Sequence, residues 1–352
     1  MSLLKKNFVT LYNTAGRKFN QKMIKITEKL EQNILNDLKD KTGAVYGPVP
    51  SRRLGYSLGI NNIKRKICTY DCIYCQAGKT TGYSTENDCC LSPHELFFLV
   101  KDKVEKIKSE NIKNDYISFV PNGEPTIDKN LGKEILLLRE FGYKIAVFTN
   151  SSLLWNDNVK ENLLNADYVS VKVDSVKEEI WESINRPHCR LKFDSILQGI
   201  IDFSKTFRGE LTTETMIINS MNDKVEDIAE IGKYLNSFSK SKAYFTIPIR
   251  PTNESFNQIP NKEDLLKIGE FAKNNIDNAI MLCCPETGDF NIFTNQEADL
   301  TAIMSVHPIN EDAMSELLKR KHLNNSIILF MIDKGLIKSS EFNGKKFYSR
   351  KD

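Results

Sequence analysis

The chain reads as an α/β fold organised on a parallel sheet. Three observations predict it. β-Rich runs recur from Tyr116 onward, their starts lie 28, 24, 43 and 32 residues apart, and helical patterns with recognisable starts fill the intervals. The runs are Tyr116 to Val120, Lys144 to Thr149, Tyr168 to Val173, Leu211 to Ile218 and Ala243 to Ile249.

In chain order, residues 17–41 predict an amphipathic helix, with Phe19, Met23, Ile26, Leu30, Ile34 and Leu38 at three- and four-residue steps. A turn-rich stretch with Gly43, Gly47, Pro48, Pro50 and Ser51 follows, then a first strand over Tyr56 to Ile60. Ser92-Pro93-His94-Glu95 is a capping box with proline at the first helical position. Asp223 with Glu226 opens a later helix and Asn261 with Asp264 another. Six βα units result, short of the eight of a closed barrel, so a partial barrel and an open doubly wound sheet both fit the spacing. From Glu297 the pattern changes. Three short helices, near Ala298–Val306, Glu311–Arg320 and Leu323–Lys334, precede a hairpin turning at Asn343-Gly344, the outline of a winged-helix domain. The expected domains are an N-terminal helical extension (1–45), an α/β core (46–290) and the winged-helix-like module (297–352).

The chain has 352 residues and a net charge of +3. Its charge is unevenly distributed. Met1 to Gly43 carries nine Lys/Arg against four Asp/Glu, and Tyr46 to Ile67 carries five basic residues and no acid. A basic N-terminal third attracts polyanions, or is simply a solvated lysine-rich face. No run of about 18 apolar residues occurs and the N-terminus has no secretory pattern, so a cytoplasmic protein without membrane spans is expected. Eight cysteines in that compartment are not a disulfide framework.

Three of the cysteines cluster. Cys68, Cys72 and Cys75 have the spacing C-x3-C-x2-C on a loop after the first strand. Three thiolates on one loop can hold three irons of a cubane and leave the fourth open to a small chelating molecule. A structural zinc site would close with a fourth ligand, yet no Cys or His lies within ten residues on either side; Cys89 is the nearest. A zinc site completed by a distant cysteine is the alternative. The polar residues that follow fall at successive strand ends, where parallel α/β folds bind ligands. They include Asn122 to Glu124, Thr149-Asn150-Ser151, Lys172 with Asp174, and Arg250.

C-x3-C-x2-C with Tyr74 before the last cysteine resembles the signature of the radical S-adenosylmethionine (SAM) superfamily, and Gly123-Glu124-Pro125 resembles its GEP motif. The likeness covers about residues 46–260. It implies a partial (β/α)6 TIM-like barrel, a [4Fe–4S] cluster on Cys68, Cys72 and Cys75, and SAM held by Tyr74, Asn122, Gly123, Glu124, Pro125, Asn150 and Asp174. It further implies an enzyme that cleaves SAM reductively, fed by a one-electron reductant such as ferredoxin or flavodoxin. The cluster and SAM carry the chemistry, and the protein orients them.

Gly47-Pro48-Val49-Pro50-Ser51-Arg52-Arg53-Leu54-Gly55 and Ile184-Asn185-Arg186-Pro187 are similar to a narrower group related to wyosine-type tRNA synthases. This chain departs from those in having no cysteine before Cys68, so their reaction does not carry over. The substrate stays open between an RNA such as tRNA, a peptide and a small metabolite. A regulator that senses SAM and binds nucleic acid is the alternative to an enzyme. Arg186 and Arg250 are candidate clamps for a substrate phosphate or carboxylate. The remaining cysteines, including the pairs Cys89-Cys90 and Cys283-Cys284, read as small buried hydrophobes.

Overall fold

A computed structural model describes residues 39–86, 90–254, 258–286, 288–293 and 295–351. The helix expected over 17–41 lies almost wholly outside them; its last residues belong to a 3₁₀ turn, Lys39–Ala44. The chain divides into two compact units at Thr42/Gly43, and the architecture below belongs to the second.

Its centre is an eight-stranded sheet in the order β1-β2-β5-β6-β7-β8-β9-β10. The strands are β1 (Val45–Ser51), β2 (Gly55–Ile60), β5 (Tyr116–Phe119), β6 (Lys144–Thr149), β7 (Tyr168–Lys172), β8 (Glu210–Met216), β9 (Lys242–Thr246) and β10 (Ala279–Leu282). Two-residue strands β3 (Ile67–Cys68) and β4 (Gly82–Tyr83) pair within the cysteine loop. From β2 to β10 every neighbouring pair is parallel, and only β1 runs antiparallel. The six expected strands are therefore present. Two that sequence pattern did not signal extend them: β1, interrupted by two prolines, and β10, only four residues long and half-exposed.

Seven helices follow the core strands: α1 (Pro93–Ser109), α2 (Leu131–Leu138), α3 (Asp157–Leu163), α4 (Glu178–Asn185), α5 (Phe193–Thr206), α6 (Val225–Leu235) and α7 (Lys262–Asn275). The capping box at Ser92 is formed reciprocally with Glu95, and Asn261 caps α7 through the Asp264 amide. Asp223 does not cap α6, which starts two residues later behind Lys224 without a side-chain cap.

The pleat sorts side chains onto two faces. Leu58, Ile117, Phe119, Ile145, Val147, Val169, Val171 and Phe245 are fully buried. Alternate positions are polar or aromatic and face the lumen. Leu54, Tyr116, Ala146, Phe148 and Tyr168 form an apolar cluster there. Above it the register sets Lys172 beside Glu214 across β7 and β8.

The sheet curls until its edges approach. Arg52, in the β1–β2 turn, donates to the carbonyls of Leu282 (2.7 Å) and Cys284 (3.2 Å) beyond β10. The returning chain meets β1 again where Asn291 N–H donates to Pro48 O.

The C-terminal module has helices α8 (Gln296–Val306), α9 (Glu311–Arg320) and α10 (Ser326–Asp333), with an antiparallel sheet β11 (Ile309–Asn310), β13 (Lys345–Arg350), β12 (Ile337–Phe342). It packs on the barrel. Tyr46 of β1 belongs to the same buried cluster as Leu300, Ile303, Met314, Leu317 and Met331, and Lys103 of α1 pairs with Asp299 of α8.

Candidate active site

The cysteine loop is held by the stretch ending α4. Ile73 N–H donates to Ile184 O (3.0 Å), Asp71 N–H to Asn185 O (3.0 Å), and His188 N–H to Thr69 O (2.8 Å). Each thiol then has an N–H donor within reach. Tyr70 N–H (3.5 Å) and Asn150 Nδ2 (3.6 Å) face Cys68 Sγ, Asn185 Nδ2 faces Cys72 Sγ (3.4 Å), and Lys66 Nζ faces Cys75 Sγ (3.7 Å). Such donors stabilise thiolates. Burial first, and then neighbouring acidic groups (Glu124 for Cys68, Asp174 for Cys72), push the two thiols up, Cys72 to about 12; a positive metal centre favours their ionised form.

All three sulfur-bearing residues line one cavity of about 260 Å³ with Asn122, Gly123, Glu124, Asn150 and Tyr74. Among the described residues no group of three or more His, Cys, Asp or Glu converges as one metal ion requires. Three cysteines around a common cavity instead fit a polynuclear cluster, and the donor set fits one of iron and sulfide.

The residues expected around SAM take two structural parts. Glu124, buried, accepts from Thr126 N (3.0 Å), Thr126 Oγ1 (2.5 Å), Thr149 Oγ1 (2.6 Å) and Asn150 N (2.7 Å). Its carboxylate ties the end of β5 to the end of β6, although burial raises its pKa. Gly123 sits where a Cβ would lie 2.0 Å from Ile67 O, against the backbone that leads into Cys68. Asp174 accepts from Tyr74 OH, Asn185 Nδ2 (2.8 Å) and Met216 N (2.8 Å). Asn122 Oδ1 accepts from Lys66 N (3.3 Å), and buried Pro125 opens a 3₁₀ turn. Asn150 Nδ2 also donates to Thr69 Oγ1 (2.7 Å).

Tyr74 lines both this cavity and a second, overlapping one of about 310 Å³, as do Arg53, Cys75, Phe148, Lys172 and Glu214, and Lys172 lies over the Tyr74 ring at 4.6 Å. The second chamber is lined by Arg52, Arg53, Lys172, Glu214, Arg250 and Glu286, with His307 from the C-terminal module. Arg53 pairs with Glu214 and lies over Phe148 (4.6 Å) and Tyr244 (5.5 Å). Lys172 Nζ reaches the other Glu214 oxygen at 3.1 Å. Burial raises the Glu214 pKa, but Arg53 and Lys172 overcome that and hold the carboxyl ionised far below its usual range. Arg250 pairs with Glu286, donates to Gln76 Oε1 (3.0 Å) and meets His307 Nε2 at 2.9 Å. Burial, then the Arg250 charge, lower the His307 pKa to about 3, so the ring is neutral. Gln76 Nε2 donates to Val306 O (2.9 Å), closing the module over the rim.

Arg250 thus faces the chamber, while Arg186 stands outside its lining and pairs with Glu254 at 2.5 Å. Asn185, beside it, is the residue the sequence reading passed over; it joins Cys72, Tyr74 and Asp174. Its signal was the Ile184–Pro187 stretch, where the charged neighbour drew attention. Arg53, Glu286 and His307 were also missed. Cys89 lies outside the described residues; Cys189 and Cys284 are exposed and Cys90 and Cys283 half-buried, which corrects the reading of these four as buried hydrophobes: each sits outside a regular strand or helix.

The family model for the radical SAM superfamily matches residues 63–232. A UPF0026 protein of Methanocaldococcus jannaschii is 44% identical over 307 residues, covering 87% of this chain and 95% of its own. A UPF0026 protein of Synechocystis is 34% identical over 212 residues, 59% of this chain and 76% of its own. The fold is similar to the crystal structure of a radical SAM methyltransferase from Sphaerobacter thermophilus, with a TM-score of 0.54 at 14% identity. That match covers 65% of this chain and 66% of that one.

Proposed function

Because the chain belongs to the radical SAM superfamily, and so is an enzyme of [4Fe–4S] cluster and SAM, we propose that it abstracts hydrogen from a substrate bound in the second chamber. One observation carries this reading: the cysteine cavity and the charged chamber overlap, sharing Arg53, Tyr74, Cys75, Phe148, Lys172 and Glu214 as lining. Bound there, the cluster and SAM would supply one-electron reductive cleavage of SAM as the source of hydrogen-abstracting chemistry.

In this reading Cys68, Cys72 and Cys75 ligate the cluster. Asn122, Gly123 and Asn150 line the SAM pocket with their polar and backbone groups. Glu124, Pro125 and Asp174 act behind them, since the carboxylates of Glu124 and Asp174 are already saturated by protein donors. Asp174 fixes Tyr74, which lines both cavities. Gln76 and the end of α8 shield the chamber from water. The electron comes from a one-electron carrier such as ferredoxin or flavodoxin.

The C-terminal module serves this reading as a cap. Its helix α10 exposes Leu329, Phe330 and Ile332 and carries no basic side chain, unlike a helix built to read DNA. No helix among the described residues is long and apolar enough to cross a membrane.

The test is anaerobic reconstitution. The protein should take up four irons and release 5′-deoxyadenosine under a strong reductant, and alanine at Cys68, Cys72 or Cys75 should abolish both. A zinc-loaded protein, or iron binding indifferent to these changes, refutes the reading.

A further inference from the structure

Four cations face the second chamber (Arg52, Arg53, Lys172 and Arg250), and three carboxylates answer them: Glu214 and Glu286 in its lining, and Asp174, whose Oδ1 lies 3.6 Å from Lys172 Nζ. Glu214 is shared by Arg53 and Lys172, and Glu286 is taken by Arg250. Among the described residues Arg52 has no carboxylate in ion-pair contact. One of its guanidinium nitrogens serves the carbonyls of Leu282 and Cys284, and among the described residues the others meet no protein acceptor. His307 is neutral and adds no charge. Its Nδ1 is a buried polar atom without a hydrogen-bond partner, in a residue only 8% exposed. Uncompensated charge inside a protein is costly, so the one surplus positive charge, at Arg52, marks a place where an anion binds.

The cations are also rigid. Arg53 is clamped between two aromatic rings, and Arg250 is fixed by Gln76, Glu286 and His307. A pre-set planar guanidinium is suited to two parallel hydrogen bonds with carboxylate or phosphate. The space limits the ligand further. At about 310 Å³ the chamber is at the lower end for ligand pockets, and the Gln76–Val306 and Arg250–His307 contacts close it on the module's side.

We propose that the substrate is a small molecule with an acid group, carboxylate or phosphate, held by Arg52 with Arg53 and Arg250 beside it in the chamber lining. The proposal rests on the radical SAM reading for the reaction but not for binding.

The experiment uses the full chain, reconstituted and loaded with SAM. Binding of succinate, citrate, inorganic phosphate and pyrophosphate is measured by calorimetry, with succinamide as the uncharged comparison and bulk tRNA as the macromolecular one. Release of 5′-deoxyadenosine is read separately. At least one of these acids should bind and succinamide should not; the carboxylate and phosphate arms identify the acid. Arg52→Met and Arg250→Met should each weaken binding about tenfold to a hundredfold, the loss of a charge-assisted pair. Arg52→Lys, which keeps the charge without the fork, should fall between. Arg139→Met, on the far surface, should bind as the unaltered protein does. Circular dichroism confirms folding of each variant. Binding unaffected by both methionine variants overturns the proposal, as does absence of any acid binding, or stimulation of SAM cleavage by tRNA alone. Failure to cleave SAM with intact acid binding would instead refute the radical SAM reading and leave the anion site standing.

Discussion

Glu124→Gln separates two roles for the acid of the Gly123-Glu124-Pro125 motif. If the carboxylate is a strut, as its four protein donors indicate, the amide damages the fold. If it contacts SAM, the fold is spared. One oxygen takes three donors and the other takes Asn150 N–H. With the new NH₂ at the second position, donor faces donor and one charge-assisted bond is lost, costing about 1.5–3 kcal/mol. The three remaining bonds become neutral and weaken by roughly half. Relief from burying a charge offsets part of this, leaving a net loss of about 2–4 kcal/mol. At roughly 2–3 °C per kcal/mol for a chain of this size, the apparent melting midpoint should fall by about 5–10 °C. Scanning calorimetry of the protein without cofactors is the assay, with SAM affinity measured on the reconstituted form. An unchanged midpoint alongside weakened SAM binding would refute the strut.

Three further outcomes are expected. Gly123→Ala drives a methyl into Ile67 O and the Ile63 side chain, so iron content of the reconstituted protein should fall with the midpoint; full iron loading would contradict this. Glu134, buried in α2 against Asp128, has a pKa raised to about 9, first by desolvation and then by that neighbour. Its folded form holds a proton that the unfolded chain releases near the usual carboxylate value. Stability is therefore greatest below that value and declines as pH rises toward 9, by up to about 1.4 kcal/mol per unit. Glu134→Gln should flatten this slope in denaturant titrations across pH 5–9, and an unaltered slope would refute the assignment. Lys66→Met removes the ammonium beside Cys75 and should lower the cluster's reduction potential, because a nearby positive charge favours the reduced state. Redox titration with an unchanged or higher potential would count against it.

The parallel sheet was legible because its strands are short, β-branched and spaced by capped helices, and the register that pairs Lys172 with Glu214 preserves that order. β10 escaped because four half-buried residues carry no periodic signal. The cysteine spacing located one cavity, since all its ligands lie within eight residues. The chamber was less legible. Arg53, Glu214, Arg250, Glu286 and His307 come from five separated segments, and only sheet closure brings them together. Glu124 and Asp174 were found as positions, yet their saturation by backbone and hydroxyl donors is a property of three-dimensional packing.

The Gln76–Val306 bond joins residues 230 positions apart. It brings the end of α8 to the chamber, whose lining includes Val306 and His307. In the proposed reading, selectivity is then written partly outside residues 63–232, the stretch that the superfamily model matches. Homologues with the same cysteine loop and a different tail should be sorted by that tail when their substrates are sought.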